Sequence, residues 1–136
     1  MRTLRKLTAA LDLERERQER FERMTAEFWD KVNATKIRGN IYIQAVPVAT
    51  ILEYSNPVET VDGIRDEIVR KAIDSGTTVD GWCEGHIFDD RMEELTLTVE
   101  YVRRLIREMS DKILAPRIEQ WFDTEFLPDC TARLME

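Results

Sequence analysis

The chain has one histidine, two cysteines and nine residues of glycine and proline combined. It also has no long uncharged apolar run. Each scarcity excludes something. One histidine, His86, makes a Ser-His-Asp or Cys-His arrangement improbable, because His86 lies only three positions after Cys83 and triad members need spatial, not sequential, proximity. Two cysteines, Cys83 and Cys130, are too few for a disulfide framework and point to a reduced compartment. Low glycine and proline with 35% charged residues indicate a helix-rich globular chain rather than a disordered one. The longest mostly apolar stretch, Ile41 to Leu52, contains Gln44, Pro47 and Thr50 and is too short to span a bilayer. The N-terminal residues show no apolar h-region, so a cytoplasmic protein without membrane association is expected. No glycine-rich phosphate loop or dinucleotide fingerprint is present, and no cofactor is expected.

The most regular feature is an apolar stripe. Phe88, Met92, Leu95, Val99, Val102, Ile106, Met109 and Ile113 recur at alternating spacings of four and three, the seam of one helix face. Leu97, Tyr101 and Leu105 add a second row. Leu95 to Val102 also alternates with period two, which is a strand signature. The stripe outlasts a typical strand and its flanks are strong helix formers, so a central helix over 88–113 is the expectation. The fold class is then mainly α: about four helices packed around 88–113, with a possible small β element at 41–54. The 136 residues suit a single domain.

Thr3 to about Asn33 forms a second long pattern. Leu4, Leu7, Leu11, Phe21, Met24, Phe28 and Val32 share a slowly drifting face, and residues 14–20 contain no apolar side chain. Pairs Glu16/Arg20, Glu19/Arg23 and Glu27/Lys31 support a helix in water at the favourable i,i+4 order. Such a helix spans roughly 46 Å, against a diameter of about 37 Å for a domain of this size. It must project, bend or pair, while residues 36–136 form the globular body. Gly39 supplies a left-handed C-terminal cap for this helix. Asn56-Pro57-Val58-Glu59 opens another, with Val58, Val61, Ile64, Ile68, Ala72 and Ile73 as its buried face. Ala115-Pro116 stops or kinks the central helix, and Ile118, Trp121, Phe122 and Phe126 give a last short helix ending near Pro128.

Net charge is −7, unevenly spread: residues 1–40 carry ten Lys/Arg against seven Asp/Glu, and the remainder ten against twenty. The overall sign argues against nucleic acid as a partner, since phosphate affinity comes from basic surface. The bases at Arg15, Arg17, Arg20 and Arg23 are interleaved with Glu14, Glu16, Glu19 and Glu22, unlike a DNA-reading basic helix. Arg103, Arg104, Arg107 and Lys112 are expected to pair with Glu100, Glu108 and Asp111.

Three functions are compatible with this pattern. The leading one is a non-enzymatic interaction or assembly module, forming a homo-oligomer through the N-terminal helix, with Leu4, Leu7, Leu11, Phe21, Met24 and Phe28 as contacts. A second is an acidic adaptor or inhibitor that binds a protein partner with a basic surface. A third is a metal-dependent hydrolase drawing on the acids of residues 74–94, seven carboxylates against the single base Arg91. Their spacing fits neither an EF-hand nor paired glutamates on facing helices. Cys83 and His86 are weak zinc candidates, lacking a second ligand pair. No metal is therefore expected. Trp29, Trp82 and Trp121 are placed as core or interface anchors rather than a cofactor site.

Overall fold

The computed structural model describes residues 2–37, 39–75 and 95–134. The chain is mainly α with a small three-stranded antiparallel sheet. Helix α1 runs from Arg2 to Lys31, a length of about 45 Å at 1.5 Å per residue. Strands β1 (Ala34–Ile37) and β2 (Asn40–Gln44) follow as a hairpin. Helices α2 (Ala45–Ile51) and α3 (Pro57–Ser75) come next. After strand β3 (Thr96–Thr98) come α4 (Val99–Arg107) and α5 (Leu114–Trp121). A five-residue π segment, Phe122–Phe126, joins α5 to α6 (Leu127–Leu134).

The sheet has the order β1-β2-β3. Ile43 sits between Ala34 and Leu97 across the two ladders. Ile43 and Leu97 are fully buried, so this row is the sheet's contribution to the core. Gly39 has φ +85° and lies in the β1–β2 turn between the paired residues Ile37 and Asn40. It therefore turns the hairpin and does not cap α1, which ends at Lys31. The β element at 41–54 is also redrawn. Strand ends at Gln44, and Ala45–Ile51 is helix. Pro47 is its third residue, where a missing N–H costs nothing because the first four amides of a helix have no partner within it.

The continuous helix expected over 88–113 is corrected as well. Phe88 to Glu94 lies outside the described residues. Of the rest, Thr96–Thr98 is strand and helix begins only at Val99. The two periodicities of that stretch are both real, and they apply in succession. Leu97 fills the core from the strand and Leu95 from just before it, and Val102, Leu105, Ile106 and Met109 fill it from α4 and its end. Pro116 is the third residue of α5 and so opens a helix rather than stopping one. The start is built by Asp111, whose carboxylate Oδ1 accepts from the backbone N–H of Ile113 at 3.0 Å and of Leu114 at 2.9 Å. The helix expected to end near Pro128 continues to Leu134. The π segment widens the helix just before the proline, where the α-helical hydrogen bond is lost in any case.

One contiguous core joins these elements. From α1 it takes Met24 and Phe28, with Val32 just beyond it; from α2, Ala45, Val48, Ala49 and Ile51, with Leu52 just beyond it; from α3, Val61, Ile64 and Ile68. Val58 and Ile73, expected on the buried face of α3, are 49% and 73% exposed. They lie at the two ends of that helix, past the elements that cover its middle. The C-terminal helices supply Leu114, Ala115, Ile118, Phe122, Phe126 and Cys130.

Candidate interaction surface

The six expected contact residues of α1 separate into two groups. Met24 and Phe28 are fully buried and Phe21 is half-buried against the core. Met24 and Phe28 are thus part of this chain's own interior, where α5 and the π segment pack on that face. Leu4, Leu7 and Leu11 are 68%, 56% and 70% exposed. Every described side chain from Leu4 to Leu11 is exposed. Among the described residues the first ion pair between α1 and the body is Glu14 with Arg117 at 2.6 Å. Residues 2–13 therefore form an arm of about 18 Å beyond that tether.

What holds the inner two thirds of α1 is a cluster of rings. Phe28 meets Trp121 and Phe126 edge-on, each at 5.4 Å between centroids, the geometry that the ring quadrupole favours. Phe122 stacks on Phe126 at 5.6 Å. Trp29, 45% exposed, lies over Phe126 at 5.1 Å. The Arg133 guanidinium is 6.0 Å from the Trp29 ring centre, at the outer limit of a cation–π contact. Burial of the aromatic side chains is the largest single anchoring contribution, roughly 2–3 kcal/mol for a fully buried Phe.

Ion pairs fix how α1 lies on the body. Arg20 reaches Glu53 at 2.9 Å and Asp111 at 2.8 Å, and Arg23 reaches Glu53 at 3.0 Å. Arg20 and Arg23 thus bind distant carboxylates in place of the expected local partners Glu16 and Glu19. The Asp111 carboxyl is held below the usual range, first by the Leu114 amide and then by Arg20. Arg117 in turn lowers the Glu14 carboxyl by hydrogen bonding. Glu53 has φ +67°, an uncommon conformation for a residue with a Cβ. It follows Leu52, the residue that caps α2, where the Tyr54 amide bonds Ala49 O and the Glu53 amide bonds Thr50 O, both at 3.1 Å. These two bonds are the helix-ending motif in which glycine is usual. A glutamate stands there, and its carboxylate receives both Arg20 and Arg23.

The basic residues of α4 are also engaged. Arg103 pairs with Asp123 at 2.9 Å and with Glu100. Arg104 pairs with Glu67 and with Glu108, and Arg107 with Glu119 at 2.7 Å. Sequence spacing anticipated Glu100 and Glu108; the partners on α3, α5 and the π segment follow only from the packing. Near them Tyr54 donates to Leu105 O at 2.5 Å, and burial pushes its hydroxyl up to about 12.

A groove of about 410 Å³ lies where the arm meets the body. Glu14, Gln18 and Phe21 of α1 line one side, and Arg117, Gln120, Trp121, Thr124 and Glu125 the other. No sequence signal marked it, because it exists only once α1 and α5 are side by side.

Among the described residues no cluster of three or more His, Cys, Asp or Glu side chains could hold a metal ion, and no helix is long and apolar enough to cross a membrane. Cys83 and His86, and all but Asp74 of the 74–94 acids, lie outside the described residues. The comparisons with known proteins return no match, whether to a protein-family model, a curated protein or a solved structure.

Proposed function

We propose that this protein is a non-enzymatic assembly module that self-associates through the N-terminal arm of α1. One observation carries the reading: three leucines at helical spacing, each more than half exposed, on a segment extending past the last ion pair that ties α1 to the body among the described residues. Isolated exposed leucines are ordinary. Three in a row on an arm that buries none of them intramolecularly form an apolar face with no use inside the chain. Burial of each by a partner contributes roughly 1–2 kcal/mol. Light scattering behind a sizing column tests this on the full chain and on the triple variant Leu4→Asp, Leu7→Asp, Leu11→Asp. Self-association predicts a multimeric mass that falls to the monomer in the variant; a monomer in both sinks the proposal.

The acidic-adaptor reading gains less support. Glu14, Glu53, Glu67, Asp111, Glu119 and Asp123 each face an arginine of the same chain, so these carboxylates offer little unpaired charge to a basic partner.

A further inference from the structure

The apolar row of the arm does not stop at Leu11. Leu4, Leu7, Leu11, Glu14, Gln18 and Phe21 follow one another at spacings of three, four, three, four and three, a single heptad row of α1. Its first half is exposed leucine. Its second half is the α1 wall of the 410 Å³ groove, whose opposite wall carries the half-buried Trp121. Because α1 is one unbroken helix, the leucines of a chain cannot fold back into its own groove. Those of a second copy can.

The spacing is its own mirror image. Two α1 helices laid antiparallel, with the two-fold axis between Leu11 and Glu14, bring Leu4 opposite Phe21, Leu7 opposite Gln18 and Leu11 opposite Glu14. Each leucine row then lies on the other copy's groove. This contact is isologous and closes on itself as a dimer. Charge distinguishes this direction from the parallel one, because Arg20 and Arg23, which this register sets opposite Arg5 and Arg2, are already engaged by Glu53 and Asp111. Residues 2–11 contain Arg2, Arg5 and Lys6 and no acid, and the helix N-terminus adds its own partial positive charge. The groove presents Glu14 and Glu125 against one guanidinium, Arg117, which Glu14 already engages. Glu125 has no ion-pair partner among the described residues. A parallel pair would instead set the two basic ends side by side.

We infer, resting on the self-association proposed above, that two copies exchange arms antiparallel, the Leu4–Leu7–Leu11 row of each seated in the Phe21–Trp121 groove of the other. The test uses full chains in a Cys83→Ser background, one carrying Leu7→Cys and the other Gln18→Cys. Both positions are exposed, so neither variant disturbs the core. The two are mixed and mildly oxidised. Arm exchange predicts a disulfide between Cys-bearing positions 7 and 18 of different copies. A dimeric mass with 7–7 disulfides, or with none, overturns the exchange while leaving self-association standing. A monomeric mass overturns both. Gln120→Arg, which fills the groove without touching the arm, should weaken the dimer at least about tenfold, as expected for loss of a central contact. An unchanged dissociation constant would show that the groove is not the seat.

Discussion

Arg20, in the middle of the long first helix, binds Asp111 at 2.8 Å, and Asp111 is the residue whose carboxylate starts α5. One ion pair thereby links the helix that carries the arm to the helix that forms the other wall of the groove. Arg20→Met should destabilise the protein by roughly 2 kcal/mol, the range for a charge-assisted hydrogen bond, measured by urea unfolding. Because the Asp111 carboxyl is held below its usual range in the folded state, its stabilisation is present above its unfolded pKa of about 3.9. It is lost as pH falls through the lower folded value. The acid limb of the stability profile should therefore flatten in Asp111→Asn; an unchanged limb would mean that the pair contributes nothing to folding.

Glu53 permits a separation of backbone from side chain. Glu53→Ala and Glu53→Gly both remove the contacts with Arg20 and Arg23, but only glycine relieves the positive φ. The glycine variant should be the more stable of the two by about 1 kcal/mol. Equal melting behaviour would contradict the left-handed assignment.

The two halves of the α1 apolar row should respond differently to truncation. Phe28→Ala removes a fully buried ring and should cost about 3–5 kcal/mol. Leu7→Ala should change monomer stability by less than about 0.5 kcal/mol while weakening association. Comparable losses of stability from both would mean that the arm packs on its own body.

Tyr54 gives an alkaline signature. Its hydroxyl is raised to about 12 by burial, so its contribution is complete below the unfolded value of about 10. It is lost as pH rises through the folded one. Unfolding between those values should be steeper for the native chain than for Tyr54→Phe, followed by circular dichroism.

The helical class and the first long helix were legible because 3.6-residue periodicity survives translation into packing. The arm leucines were legible for the same reason, but their exposure was not. Leu4 and Phe28 lie on one drifting row, and only the position of α5 decides that Phe28 is interior and Leu4 is not. The stripe through Leu95–Ile113 misleads because Leu95 and Leu97 fit either period, and the strand that carries Leu97 is three residues long. Pro116 and Pro128 signal helix breaks by rule. The first falls in an initial turn, and the second is absorbed by a π segment that no local pattern announces. The left-handed demand on Gly39 is legible but not the element that makes it, since hairpin turn and helix end require the same of a glycine.

The most direct test is the mass in solution of the full chain beside one that begins at Leu13, measured by light scattering with circular dichroism on the same samples. Removal of the arm leaves Glu14, Met24 and Phe28 in place, so the fold should be retained. Self-association through the arm predicts a dimer that becomes a monomer with native helicity. A shortened chain that remains dimeric, or a full chain that is monomeric, would contradict it.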